Sequence, residues 1–236
     1  MIHVVIGASR GIGLECVKQS LSLGNIIYAT YRNKPNVTHD ALHWLECDLT
    51  KKSSTDYFLS ELKHLSHIDS LIICAGNNNI KSISDYTDDE VDYLFRLNLI
   101  SHFTLIRSLL PKLMLSDSPR IVGVSSIWGT VGVKYRSLYT ATKGGMDALY
   151  RSLAVEFAPK ILINTVSPGF TATELTLRSL GYEGISKLEK FIPVKRLADP
   201  KEIANHILYL ASPENSYVTG QNAIIDGGFS VSAKCL

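Results

Sequence analysis

Short apolar runs alternate with longer helical patterns along the whole chain. The apolar runs predict seven strands, at His3–Ile6, Ile26–Thr30, Leu42–Cys47, Ser70–Cys74, Arg120–Ser125, Leu162–Ser167 and Ala223–Ile225. The stretches between them predict helices at Ile12–Leu23, Ser53–Leu65, Asp88–Leu115, Ser137–Phe157 and Lys201–Ala211. Alternation of this kind indicates βαβ units, and runs such as Val4-Val5-Ile6 are typical of strands covered on both faces. The sequence therefore predicts an α/β fold with a doubly wound parallel sheet and helices on both faces.

Two segments depart from this regularity. The segment from Tyr31 to Ala41 is near the minimum length for a parallel crossover, so its helix is expected to be stunted or absent. The long segment from Thr171 to Arg196 contains Gly181, Gly184 and Pro193, which is typical of a mobile lid or a substrate loop. Since no linker, repeat or low-complexity stretch interrupts the chain, we expect one domain over residues 1–236.

Charge and cysteine usage exclude several classes of function. The net charge is +2 and the basic residues are scattered, which gives no basis for a nucleic-acid or membrane partner. The four cysteines show no paired spacing, so we expect free thiols and a cytoplasmic protein. The first strand follows Met1 directly, and no signal peptide or membrane span is expected. His39/His43 and His64/His67 have ligand-like spacings but no further ligand nearby, so no metal site is expected.

Glycines follow the first strand in the run Gly7-Ala-Ser-Arg-Gly11-Ile-Gly13. Glycines at a strand-to-helix turn let the backbone approach a pyrophosphate at the helix N-terminus. The spacing G-x-x-x-G-x-G differs from the commoner G-x-G-x-x-G, and a tight turn that needs glycine dihedrals is the alternative. The context favours a dinucleotide site.

Tyr139 and Lys143 lie four residues apart in a predicted helix, so their side chains share a face. An ammonium beside a phenol favours the phenolate and is expected to lower the pKa of the phenol. Such a pair moves protons to or from a substrate oxygen, although the spacing alone also fits two solvated surface residues.

An ordered set of motifs decides between these alternatives. The set runs through Gly7-x-x-x-Gly11-x-Gly13, Ala75-Gly76, Asn98, Ser126, Tyr139-x-x-x-Lys143, Pro168-Gly169 and Asp226-Gly227-Gly228. In this order the motifs resemble the compact single-domain branch of the short-chain dehydrogenase/reductase family, and the chain looks similar to 3-oxoacyl-acyl carrier protein reductases and carbonyl reductases. The resemblance covers essentially the whole chain and implies a Rossmann-like fold.

The resemblance implies a role for each catalytic position. Tyr139 would donate a proton to the substrate carbonyl, and Ser126 would hold the carbonyl oxygen. Lys143 would bind the nicotinamide ribose and lower the pKa of Tyr139. Asn98 would anchor a water that links Lys143 to solvent.

The resemblance also implies the cofactor site. Asp48 would contact adenine, and Thr171 or Thr173 would reach the carboxamide or the diphosphate. The implied cofactor-binding residues are Gly7, Ser9, Arg10, Gly11, Ile12, Gly13, Arg32, Asp48, Leu49, Ala75, Gly76, Asn98, Tyr139, Lys143, Pro168, Gly169, Thr171 and Thr173.

Charge at the end of the second strand favours NADP(H) over NAD(H). An acidic residue there would accept the ribose hydroxyls of NAD and repel a 2′-phosphate. This chain has no acid at that place, and Arg10 and Arg32 are candidate phosphate partners. The alternative for Arg32 is a solvated loop residue.

Four positions depart from the family pattern. Ile6 replaces a threonine that commonly precedes the first glycine, Ile73-Cys74 replaces an Asn-Asn pair, and Lys195 stands where glycine is common. The first two changes remove hydrogen bonds near the turn and the central strands but no catalytic group.

Four residues and one segment are candidates for the substrate pocket. Ser126, Trp128, Tyr135 and Phe170 are the candidate pocket residues, with Leu175–Phe191 as a cap. Ser116-Asp117-Ser118 stands where carrier-protein reductases tend to carry basic residues. This difference disfavours a carrier-protein-bound substrate.

Together these features predict an NADPH-dependent reductase that transfers hydride to a ketone or aldehyde, with Tyr139 as proton donor. The alternatives are an NAD-dependent alcohol dehydrogenase and, more remotely, a non-catalytic dinucleotide sensor. The resemblance implies a homotetramer or homodimer packed through the helices at Asp88–Leu115 and Ser137–Phe157, and the apolar C-terminal segment could add a further contact.

Overall fold

A parallel sheet of seven strands forms the centre of the fold. The computed structural model describes residues 1–232, apart from the side chains of Leu175, Arg178, Ser179, Leu180 and Tyr182. The strands are β1 (Ile2–Ile6), β2 (Ile26–Tyr31), β3 (Leu42–Glu46), β4 (Ser70–Ile73), β5 (Arg120–Val124), β6 (Leu162–Pro168) and β7 (Asn222–Ile225). Their order is β3-β2-β1-β4-β5-β6-β7 with every pair parallel. The predicted fold class and all seven predicted strands are confirmed.

Helices cover both faces of the sheet. They are α1 (Gly11–Ser22), α2 (Lys52–Glu61), α3 (Asp88–Phe95), α4 (Ser101–Leu113), α5 (Ser137–Phe157), α6 (Glu174–Glu189) and α7 (Pro200–Leu210). Alternate strand residues point to opposite faces, so Val4 joins the core beneath α2, α4 and α5, whereas Val5 joins the core beneath α1 and α7. This two-sided burial explains why the strand sequences show no polar alternation.

The chain order reverses between β1 and β4, which are neighbours at the centre of the sheet. Crossovers leave the sheet on opposite faces on either side of this point, so a crevice opens at the carboxyl ends of the strands. The residues that follow β1, β4, β5 and β6 meet there.

The predicted helix Asp88–Leu115 is interrupted. A π-helical turn at Arg96–Ile100 separates α3 from α4. The sequence prediction of one continuous helix was therefore wrong in detail, because a π turn keeps the apolar pattern of a helix while it changes the hydrogen-bond spacing.

The crossover from β2 to β3 contains no helix, as its length predicted. Instead, Trp44 on β3 donates its indole N–H to the Val37 carbonyl at 2.8 Å and packs edge-on against Tyr31. These contacts hold the loop against the sheet where a helix would otherwise pack.

The segment from Thr171 to Arg196 differs from the prediction of an irregular lid. It is mostly helical, as α6, with a break at Gly181, whose φ of 62° and ψ of 175° are not helical. Thr173 caps the start of α6 by accepting the Thr176 N–H. Lys195 has a φ of 59°, which explains why glycine would suit that position.

None of the helices within residues 1–232 is long and apolar enough to cross a membrane. The expected contact by the apolar C-terminal segment falls on residues 233–236, outside the described part of the chain.

Candidate active site

Two adjoining cavities form one cleft at the carboxyl end of the sheet. Both are lined by Gly7, Arg10, Cys74 and Gly76. Of the predicted site residues, the outer cavity adds Ser9, Arg32, Asp48, Leu49 and Ala75, and the inner cavity adds Gly11, Ile12, Gly13, Ser126, Tyr139, Lys143, Pro168, Gly169, Thr171 and Thr173. The structure thus brings the predicted cofactor residues into one cleft, except for Asn98, which is buried behind it.

The glycine turn lies at the centre of the cleft. Gly7 has a φ of 75°, and a Cβ there would approach the Ala75 nitrogen to 2.6 Å, so only glycine fits. The Gly7 N–H donates to Oγ1 of Thr30 at 2.8 Å. Thr30 on β2 therefore supplies the side-chain hydrogen bond to the glycine turn that Ile6 cannot make.

Helix α5 carries Tyr139 and Lys143 into the inner cavity. The Lys143 ammonium lies 5.9 Å from the centre of the Tyr139 ring and donates to the Val124 carbonyl at 2.8 Å. Burial lowers the pKa of Lys143 to about 8, against the opposing effect of the Asp147 carboxylate. A Cβ on Gly76 would lie 3.4 Å from the Lys143 nitrogen, so the glycine leaves the ammonium open to the cleft.

The pKa of Tyr139 does not follow the prediction. Burial raises the pKa of the phenol above its usual value, and this outweighs the hydrogen bond from Ser126 and the positive charge of Arg136, which lower it. The expectation that Lys143 lowers this pKa was wrong in its net direction, because burial is invisible in the sequence. The phenol is therefore protonated at neutral pH, as a proton donor requires.

Ser126 is held in place by the short 3₁₀ helix that follows β5. Its hydroxyl accepts the Trp128 N–H at 3.2 Å and lies close enough to the Tyr139 phenol to lower its pKa. Both residues line the inner cavity.

Asn98 lies in the π-helical turn and is fully buried. Its amide donates to the Asn77 carbonyl at 2.9 Å and to Oγ1 of Thr142 at 3.1 Å, and its oxygen accepts the Asn77 N–H at 2.9 Å. Thr142 in turn donates to the Tyr139 carbonyl at 2.8 Å. The side chain thus ties the loop after β4 to α5, and its role as a water anchor stays a prediction.

Asp147 was not among the predicted site residues, and it is buried one turn beyond Lys143 on α5. Its carboxylate accepts from the Asn222 amide at 3.1 Å and raises the pKa of Lys143. The spacing of four residues after Lys143 was the available signal.

Two arginines and two acids line the outer end of the cleft. Arg10 and Arg32 share a shallow cavity with Ser9, Asn33 and Glu174. Deeper in, the Asp48 carboxylate accepts from the Thr50 N–H at 3.0 Å and its hydroxyl at 2.7 Å. These bonds lower the pKa of Asp48 against the opposing effect of burial, and Arg32 adds to the lowering.

Aromatic rings cluster on the β6–β7 side of the cleft. Trp128, Phe170 and Phe229 meet edge to face, with ring centres 5.1 to 5.9 Å apart. Phe229 was not foreseen, because nothing in the sequence brings the segment after β7 back to the site. Of the four candidate pocket residues only Ser126 lines the cleft, because Trp128, Tyr135 and Phe170 line neither of its cavities. Tyr135 is exposed, with a φ of 63°.

The cleft therefore combines a glycine turn with the side chains of Ser126, Tyr139 and Lys143. The family profile described as enoyl-(acyl carrier protein) reductase matches residues 7–230. A tropinone reductase homolog of Arabidopsis thaliana is 31% identical, over 98% of this chain and 90% of that protein. The chain belongs to the short-chain dehydrogenase/reductase family.

Other members of the family agree over nearly full length. The 3-oxoacyl-[acyl-carrier-protein] reductase of Vibrio harveyi is 29% identical, over 96% of each chain. Among solved structures, a short chain dehydrogenase family protein from Francisella tularensis has a TM-score of 0.92 at 27% identity, covering 98% of this chain and 99% of its own. 4-Hydroxyisoleucine dehydrogenase complexed with NADH has a TM-score of 0.91 at 28% identity, with the same coverage. The chain is an NAD(P)-dependent oxidoreductase that acts on CH–OH or carbonyl groups.

Proposed function

We propose that this protein is an NADPH-dependent reductase of ketones or aldehydes. The observation that carries the proposal is the meeting of Ser126, Tyr139 and Lys143 with the glycine turn in one cleft. A proton donor, an oxygen-binding hydroxyl and a dinucleotide turn within one cleft are the parts that carbonyl reduction needs.

The residues present fit a dinucleotide along the cleft. Gly7 and Gly76 leave room for it beside Lys143, and the N-terminus of α1 faces the place of the pyrophosphate. A bound nicotinamide would supply the hydride. Lys143, with one N–H on the Val124 carbonyl, has further N–H groups to offer ribose hydroxyls.

The preference for NADP(H) rests on charge at the outer end. Strand β2 ends at Tyr31 and is followed by Arg32, so no carboxylate stands there to accept ribose hydroxyls. Arg10 and Arg32 line the outer cavity and would pair with a 2′-phosphate, whereas Glu174 is the one acid that lines the shallow cavity with them.

In the proposed reaction Ser126 and Tyr139 hold the carbonyl oxygen, and Tyr139 protonates it as negative charge develops there. The raised pKa keeps the proton on the phenol until that charge appears. Lys143 and Arg136 then stabilise the tyrosinate that remains, and Ser126 keeps its hydrogen bond to it.

The second candidate is an NAD-dependent alcohol dehydrogenase, in which the same residues remove a proton from an alcohol. The NADH complex of the related 4-hydroxyisoleucine dehydrogenase favours it. A non-catalytic dinucleotide sensor is disfavoured, because Ser126, Tyr139 and Lys143 are all present and adjoin one another.

The test is a panel of ketones, aldehydes and a 3-oxoacyl thioester, offered with NADPH and with NADH while cofactor absorbance is followed. We expect oxidation of NADPH at a higher kcat/KM than of NADH. Tighter binding and faster turnover of NADH would favour the dehydrogenase. No turnover of any carbonyl or alcohol with either cofactor would contradict both enzymes.

The assembly and the location are also proposals. The resemblance favours a homo-oligomer packed through α4 and α5, where Phe103 and Val155 are exposed. The free thiols of Cys16, Cys47 and Cys74 fit the proposed cytoplasmic location.

A further inference from the structure

Arg136 is a half-buried arginine beside the reactive phenol that the mechanism uses only through its charge. It stands at the start of α5, three residues before Tyr139. Within the described residues its guanidinium has no hydrogen-bond acceptor and no carboxylate partner. A partly buried cation without a partner is costly, so its presence calls for an explanation.

Arg136 lines neither cavity of the cleft, but its surroundings place it beside Tyr139, on the side of the loop that follows β4. Burial lowers the pKa of its guanidinium, and the phenols of Tyr139 and Tyr86 act on it from nearby in the opposite direction. Tyr86 belongs to the loop after β4, where its hydroxyl donates to the Asn79 carbonyl at 3.1 Å. The same loop contacts the residue next to Arg136, since the Lys81 N–H donates to the Tyr135 carbonyl at 2.9 Å.

The sheet order separates this side of the site from the aromatic cluster. Strand β5, which leads to Ser126, lies between β4 and β6. Tyr86 and Arg136 therefore flank Tyr139 towards β4, whereas Phe170 and Phe229 lie towards β6 and β7. Glu90, at the start of α3, is paired with Lys81.

We propose that Arg136 binds a carboxylate of the substrate, so that the enzyme acts on oxo acids in preference to neutral carbonyl compounds. The inference rests on the proposed carbonyl reduction and names its substrate class. A guanidinium presents paired N–H donors that match the two oxygens of a carboxylate. With the carbonyl oxygen on Ser126 and Tyr139, a substrate carboxylate on the β4 side meets the unpaired cation.

The experiment compares pyruvate, acetoacetate and levulinate with their methyl esters, using NADPH and the wild-type enzyme, Arg136→Gln, Arg136→Lys and Lys134→Gln. The ester keeps the carbonyl but removes the charge. Lys134→Gln is the matched control, because Lys134 is an exposed cation two residues from Arg136. The readout is the ratio of kcat/KM for acid over ester, which cancels any general effect of Arg136 on the Tyr139 proton.

For at least one spacing between carbonyl and carboxylate we expect a ratio of about 10 to 100 in the wild type. The ratio falls towards one in Arg136→Gln, recovers in part in Arg136→Lys and is unchanged in Lys134→Gln. Esters reduced as well as acids would overturn the inference and leave the reductase proposal intact. Dihydroxyacetone phosphate is assayed beside the acids as a phosphate-bearing ketone. A higher kcat/KM for this phosphate than for every acid would overturn the carboxylate assignment.

A binding measurement separates failure of the inference from failure of the proposed function. If no carbonyl is turned over, quenching of tryptophan fluorescence by levulinate is measured on enzyme loaded with NADP⁺. Quenching that is lost in Arg136→Gln and kept in Lys134→Gln would support the carboxylate site while the reductase proposal fails. Equal quenching in all variants, or none, would overturn the inference.

Discussion

The two ends of the cleft are built in opposite ways. At the catalytic end Asn98, Thr142 and Lys143 are at most 3% exposed, and each makes a hydrogen bond to its surroundings. At the outer end Arg10 and Arg32 are exposed side chains on loops. Buried networks fix geometry, whereas exposed charges select among ligands at modest energy. We therefore expect chemistry and cofactor choice to be separable by mutation.

The sharpest test of this separation is Tyr139→Phe. The change removes the proton donor but keeps the ring, so we expect turnover to fall by about 10²- to 10⁴-fold. NADPH affinity should stay nearly the same, measured by fluorescence titration. An active Tyr139→Phe enzyme would show that the proton comes from elsewhere and that the buried end does not carry the chemistry.

The matching change at the outer end of the cleft is Arg32→Asp. It removes a phosphate partner and adds a carboxylate, so the ratio of kcat/KM for NADPH over NADH should fall by about 10- to 100-fold. Lys34→Asp, the same charge reversal on the loop outside the cavities, serves as the control. An equal fall of this ratio in Lys34→Asp would show that general electrostatics, and not a contact of Arg32 with the cofactor, causes the effect.

Acid should weaken the protein through buried histidines. Burial lowers the pKa of His102, which lies behind Lys143, to about 3, and that of His3 to about 4. Since both values lie below the unfolded value, the unfolded state binds more protons, and stability falls as the pH drops from about 6.5 towards these values. We expect a loss of about 1–2 kcal/mol for each histidine between pH 7 and pH 5.

Urea unfolding at the two pH values measures this loss, and His102→Gln should reduce it by about half. A His102→Gln protein with the same pH dependence as the wild type would show that the catalytic end contributes nothing to acid sensitivity.

A smaller effect than that of the two histidines together is expected from Thr142→Val, which keeps the shape but removes the hydroxyl between Asn98 and Tyr139. The unpaired Asn98 donor should lower the free energy of unfolding by about 1–3 kcal/mol. Thr140→Val is the control, because the Thr140 hydroxyl is buried without a hydrogen-bond partner within the described residues. A loss of equal size in both variants would mean that the network does not brace the site.

Much of this architecture follows from local sequence. The strands could be predicted because burial on both faces demands continuous apolar runs, and the glycine turn because its dihedrals exclude other residues. Helix α6 was missed, since Gly181 and Gly184 lower helix propensity and the break at Gly181 hides two shorter helical pieces.

The properties that escaped prediction depend on tertiary packing. The raised pKa of Tyr139 follows from burial, which the sequence does not show. Thr30 replaces a missing hydrogen bond from a neighbouring strand, and Phe229 reaches the aromatic cluster from the segment after the last strand. Each needs the three-dimensional arrangement of segments far apart in the chain.

The π-helical turn at Arg96–Ile100 means that the chain carries one residue more than a regular helix would need there. Each residue turns a helix by roughly 100°, so deleting one residue from this stretch would restore a regular helix and rotate the Asn98 amide away from Thr142. Chain length, and not only the presence of an asparagine, aims this side chain. Homologous or engineered sequences that keep the asparagine but shorten this helix by one residue would therefore lose its contact with α5.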